Sequence, residues 1–117
     1  MDCNKSLVYI ASPYAGDTVH NINRALRYCR FAVSESCIPL APHVHYPQFM
    51  DDSDKEEREL GLCFALALLE KCDAIWVFGD KISEGMTREI TFAKKHGIPT
   101  RYFNTRCEEV GCDETRH

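Results

Sequence analysis

Two stretches carry the densest apolar pattern in the chain, SLVYIA at 6–11 and AIWVF at 74–78. Each is nearly continuous rather than alternating, the pattern of a strand buried on both faces. Ser12-Pro13 closes the first, and the period then changes. Val19, Ile22, Leu26, Cys29 and Val33 recur in steps of three and four. Those steps predict a helix capped by Asp17 or Thr18, with this stripe toward the core and Arg24, Arg27 and Arg30 filling much of the remainder. A short strand is expected around Ile38–Ala41, ended by Pro42. Residues 43–53 show no period and contain Pro47, so they read as a loop. Roughly 54–71 is helical, charged at its start and apolar from Leu60 to Leu69. After AIWVF, residues 79–82 form a loop, 85–96 a helix closed by Gly97, and 98–103 a last strand.

The resulting order is βαβαβαβ, with crossovers long enough for right-handed parallel connections. It predicts an α/β fold: a small doubly wound, flavodoxin/Rossmann-like parallel sheet of four to five strands with helices on both faces. Residues 1–104 make one domain and 105–117 a polar, loosely held tail.

Composition narrows the functional classes. A net charge of -4 with 14 dispersed basic residues gives no electrostatic footprint for nucleic acid. No segment approaches the roughly 18 apolar residues that span a bilayer, and the opening MDCNKSLVYIASPYAG is a poor signal peptide. A cytoplasmic protein with no membrane partner is expected. The seven cysteines are scattered with no CxxC pair, the nearest approach being Cys107 and Cys112, so reduced thiols are expected and no metal. No GxGxxG or Walker-type run is present, so no dinucleotide or triphosphate cofactor is indicated.

In a doubly wound sheet, ligands bind outside the carboxyl ends of the strands. The unusual residues gather there: Ser12, Tyr14 and Gly16 after the first strand, His43, His45 and Tyr46 after the second, and Gly79, Asp80 and Ser83 after the third. His43 and His45 alternate, so an extended conformation would put both on one side, as a polar pocket wall.

The stretch SEGMTREI, 83–90, sharpens the picture. At 100° per residue, Glu89 lies about 40° from Ala93 and about 60° from Met86 on the helix wheel. It therefore sits at the border of the stripe marked by Ile90 and Ala93. A buried carboxylate there is tolerable if it opens into a pocket near the helix N-terminus, where the dipole favours an anion. The rival account pairs it on the surface with Arg88 or Lys94. Ser83 is a good N-cap, and the exposed amides beside it suit a phosphate.

The opening VYIASPYAG, then CDAIWVFGD, then S-x-G-M-x-x-E-I-x-x-A-x-x-x-G-I-P from Ser83 to Pro99 resemble the nucleoside 2-deoxyribosyltransferase-like superfamily, which includes the 2'-deoxynucleoside 5'-phosphate N-hydrolases. The similarity covers roughly residues 6–103. It implies that Glu89 is a nucleophile attacking C1' of the sugar, that Ser83 contacts a phosphate, and that Ser12 and Gly16 cradle sugar or phosphate. Position at the strand ends and the resemblance together give the expected substrate-binding set: Ser12, Tyr14, Gly16, His43, His45, Gly79, Ser83, Gly85 and Met86. The ligand would be a small-molecule nucleoside or nucleotide, and the assembly a homodimer or higher homo-oligomer in which a neighbour helps complete the site. One departure stands out. Active members carry an Asp eight residues before the aspartate of the ADVVV-type strand, and here that position is Ala65. The acid function would then fall to Tyr14, His43, His45 or a carboxylate of the 56–59 region. The alternative is a non-catalytic nucleotide-binding protein that senses or sequesters its ligand.

Overall fold

The computed structural model describes residues 3–111. Five strands and four α-helices follow one another as β1 (Leu7–Ala11), α1 (Thr18–Ser34), β2 (Ile38–Leu40), α2 (Pro42–His45), α3 (Lys55–Glu70), β3 (Ala74–Phe78), α4 (Glu84–Lys95), β4 (Thr100–Phe103) and β5 (Glu109–Val110), with a 3-10 turn at Tyr46–Gln48. The sheet order is β2-β1-β3-β4-β5, parallel throughout except for the antiparallel β4–β5 pair. The expected doubly wound α/β fold is what the chain forms. Its order reverses between β1 and β3, which opens a crevice beyond their carboxyl ends.

The alternation along the strands separates two cores. Val8, Ile10, Trp76, Phe78 and Phe103 face α1, where they meet Tyr28 and Ala32. Tyr9, Ala11, Ile75, Val77 and Tyr102 face α3 and α4, where they meet Ala65, Leu69, Met86 and Ala93. Both faces are covered, which is why the strands read as continuous apolar runs.

The face of α1 turned to the sheet is not the expected one. Ala25, Tyr28 and Ala32 are buried, whereas Val19, Leu26 and Val33 are 71%, 50% and 45% exposed. Tyr28 stacks on Phe78 with ring centroids 4.3 Å apart, and the two alanines let the helix approach closely enough for that stack. The aliphatic stripe lies one helical step round. Asp17 is the cap, accepting the His20 N–H at 3.2 Å.

The segment expected to be a loop contains two helical turns. Pro42 starts α2, where its missing N–H would be unsatisfied in any case. His43 and His45, two residues apart on a helix, diverge by about 200° instead of sharing a side. Beyond β4 the chain turns back at Asn104, and Arg101 holds Glu109 through two bonds of 3.0 and 2.8 Å. Part of the expected polar tail is thus the strand β5. Cys112 and residues 112–117 lie outside the described residues. No described helix is long and apolar enough to cross a membrane.

Candidate active site

Helix α4 begins where the sequence placed it. Ser83 caps it, its hydroxyl accepting the Met86 N–H at 3.2 Å. One and a half turns on, Glu89 points toward the sheet. Tyr9, in the middle of β1 and fully buried, donates its phenol to the Glu89 carboxylate Oε2. The surface pairing is excluded: Arg88 engages Glu59 at 3.7 Å and Glu84 at 3.6 Å, and leaves Glu89 to the interior.

Burial governs the titration of this pair. Loss of solvent pushes the Glu89 carboxyl up to about 7, against a smaller lowering by the Tyr9 hydrogen bond. Tyr9 is raised well above its ordinary value, first by burial and then by the charge of Glu89. The phenol therefore keeps its proton and serves as a fixed donor to the carboxylate.

Glu89 and Tyr9 line a cavity of about 210 Å³, walled largely by apolar groups such as Pro42, Tyr46, Met50 and Leu62. Tyr14, His43 and Gly85 border it too, and Ala65, 7% exposed, forms part of its wall. His43 Nε2 is 2.8 Å from the hydroxyl of Ser12, itself buried at the end of β1. Burial lowers His43 to about 4, so the imidazole is neutral at physiological pH. The phenol of Tyr14 is raised by burial and by the charge of Asp52.

A second cavity, about 490 Å³, opens on the other side of the Ser12–His43 pair. It is the more polar of the two: Ser12, Asn21, Arg24, Lys81 and Ser83 line it beside Pro13, Tyr28 and Ile82, with Asp80 as its one anion. Gly79 has φ 115°, a conformation that favours glycine, and a side chain there would rest against the Pro13 ring.

Of the expected site residues, Glu89, Tyr14, His43 and Gly85 thus meet in the first cavity, and Ser12, Gly79 and Ser83 in the second. The remaining three line neither. Gly16 is an exposed turn glycine with φ 95°. His45 is exposed, its ring 5.0 Å from that of Phe49. Met86 is fully buried in the core beneath α4. Sequence reasoning missed Tyr9 by reading SLVYIA as a uniform apolar run. A phenol amid aliphatics in a doubly buried strand is itself a signal, because its hydroxyl must find a partner. Among the described residues, no three His, Cys, Asp or Glu side chains cluster as a metal site would require.

Solved structures share this architecture. A 2-deoxyribosyltransferase from Bacillus psychrosaccharolyticus superposes with a TM-score of 0.66 over 94% of this chain and 80% of its own, at 18% identity. A 2-desoxiribosyltransferase from Leishmania mexicana gives 0.62 over 85% of this chain at 16% identity, and this chain spans 64% of its length. A conserved protein from Enterococcus faecalis gives 0.56 over 93% of this chain and 69% of its own, at 21% identity. The fold is therefore that of the 2-deoxyribosyltransferases. No curated protein matches the sequence. Residues 6–103 match the model of DUF7768, a domain of unknown function, and the chain belongs to that family.

Proposed function

We propose that the protein breaks or transfers the N-glycosidic bond of a nucleoside or nucleotide, with Glu89 as nucleophile. The observation that carries this reading is a desolvated carboxylate, fixed by a buried phenol, facing an apolar cavity at the switch point of the sheet. The Glu89 carboxylate attacks C1' of the sugar, forming a C1'–O ester bond as the C1'–N bond breaks. The bond electrons leave with the base, which takes up a proton. Water or a second base then opens the ester, as in retaining glycosidases. A carboxyl near pH 7 in its titration is poised between holding and losing its proton, and only the ionised form attacks.

The apolar cavity suits the base and sugar, and the polar one a 5'-phosphate. Arg24, Lys81 and the amides at the start of α4 supply donors and positive charge there. That favours a nucleotide over a free nucleoside. The exposed side of α3 favours a homo-oligomer. Leu60 and Phe64 are 47% and 41% exposed on the part of α3, 60–69, that is apolar all round, and Phe49, 62% exposed, stands near Phe64 across Tyr46. A second copy covering this side would also close the apolar cavity, and sedimentation of the purified protein tests for it.

A second reading, binding without turnover, is favoured by Ala65, which offers a methyl where the resemblance places a carboxyl, and by the neutrality of His43. Chromatography of released base from a panel of nucleosides and 5'-monophosphates, ribo and deoxy, separates the two. Release that disappears in Glu89→Gln supports catalysis. Calorimetric binding with no release supports the binder, and equal release by both proteins refutes the nucleophile.

A further inference from the structure

Between Asp51 and Arg58, half of the polar side chains have a structural task. Asp51 accepts from the Ser53 N–H and hydroxyl at 2.9 and 2.5 Å. Asp54 caps α3 through the Glu56 N–H at 3.1 Å. Glu57 accepts the Asp51 N–H at 3.0 Å. Lys55 and Glu56 have no such task and do not line the cavity; Asp52 and Arg58 have none either. Neither side chain makes a hydrogen bond or ion pair with a described residue, although Arg58 is flanked in sequence by Glu57 and Glu59. Both line the apolar cavity that Glu89 faces. A carboxylate and a guanidinium, both unengaged, therefore border a cavity whose other walls are mainly rings and aliphatic carbons.

Resting on the glycosidic reading above, we propose that Asp52 and Arg58 read the edge of the base, and that the base they fit is guanine. A carboxylate offers two parallel acceptors and a guanidinium two parallel donors. Guanine presents both complements on adjoining edges: N1–H and the 2-amino group for Asp52, O6 and N7 for Arg58. Adenine and cytosine set a ring acceptor beside their amino group, which turns a lone pair toward the second carboxylate oxygen. Thymine and uracil flank a single N–H with two carbonyls and meet the same repulsion. Tyr46, Pro42 and Leu62 supply apolar surface for the faces of the bicyclic ring.

The test measures release of base by the full-length protein from the monophosphates of guanine, hypoxanthine, 7-deazaguanine, adenine, cytosine and thymine or uracil, with ribose and deoxyribose. Calorimetry on Glu89→Gln measures binding of the same set. Guanine is expected to be preferred about tenfold or more over adenine, the scale of one good bidentate pair. Hypoxanthine, which lacks the 2-amino group, should fall between. Asp52→Asn should erase the difference between guanine and hypoxanthine. Arg58→Ala should weaken guanine about tenfold and leave 7-deazaguanine, which lacks N7, less affected. All bases handled within about threefold, or a guanine preference surviving both substitutions, overturns the assignment and leaves the Glu89 chemistry standing. Selective guanine nucleotide binding without release keeps the assignment and removes catalysis. Neither binding nor release with any nucleotide removes both.

Discussion

Strand β1 presents Val8 and Ile10 to one side of the sheet and Tyr9 and Ala11 to the other, and the two sides serve different ends. Toward α1 the sheet–helix layer is aromatic and closed, and the second cavity lies past the strand ends beside Asn21, Arg24 and Tyr28. Phe78 stacks on Tyr28 and, at 4.9 Å, on Phe103, while Phe31 meets Phe103 edge-on at 5.4 Å. Toward α3 and α4 the same sheet carries a phenol that meets a carboxylate on α4, and the packing opens into a cavity. A parallel sheet needs cover on both faces, but only one has to be filled completely. The face left open is the one that holds the ionisable pair.

If this division holds, substitutions should separate into those that alter turnover and those that alter stability. The largest expected effect is on Glu89→Gln: base release should fall at least about a thousandfold while the fold is retained, as chromatography and circular dichroism would show. On the closed face, Tyr28→Ala should lower unfolding stability by about 3–5 kcal/mol in urea titration, because a stacked ring leaves a cavity. Tyr9→Phe should reduce kcat about ten- to a hundredfold. It should also move the acid limb of the pH–rate profile above 7, since the lost hydrogen bond is what lowers Glu89. Arg24→Ala or Lys81→Ala should raise KM for 5'-monophosphates about tenfold, with little change for nucleosides; equal losses on both would break the assignment of the polar cavity. The smallest effect is thermodynamic. A carboxyl raised from 4.5 to about 7 contributes its full stability below the unfolded value and loses it as pH rises through the folded one. Glu89→Gln should therefore remove that decline and be the more stable of the two at pH 8, as urea titrations across pH 4–8 would show.

Much of this was legible in the sequence, for reasons that differ along the chain. β1 and β3 are continuous apolar runs, and nothing competes with that pattern. α4 declares itself through Ser83 and Gly97, and Glu89 through its place on the wheel. The orientation of α1 was not legible, because apolar counting ranks Val19, Leu26 and Val33 above Ala25 and Ala32. The sheet selected the smaller residues so that Tyr28 could reach Phe78. The helical turns after Pro42 were hidden by two prolines and a lack of period. The cavity walls come from segments far apart in sequence, so Tyr9, Met50, Asp52 and Arg58 share no local signature. Of the contested pairings, only the interior placement of Glu89 could be argued from helix geometry alone.

The lateral margins of the sheet carry one more consequence. On one side β2 is three residues long. Ile38 turns its N–H inward to Ser6, so Pro39 takes the outward position with no N–H to offer. On the other side the two residues of β5, clamped by Arg101 and Glu109, cover β4. Among the described residues, neither margin presents a run of free main-chain donors on which another copy could add a strand. Any association between copies would thereby fall to side chains, with its specificity written in the helix faces, where single substitutions can adjust it.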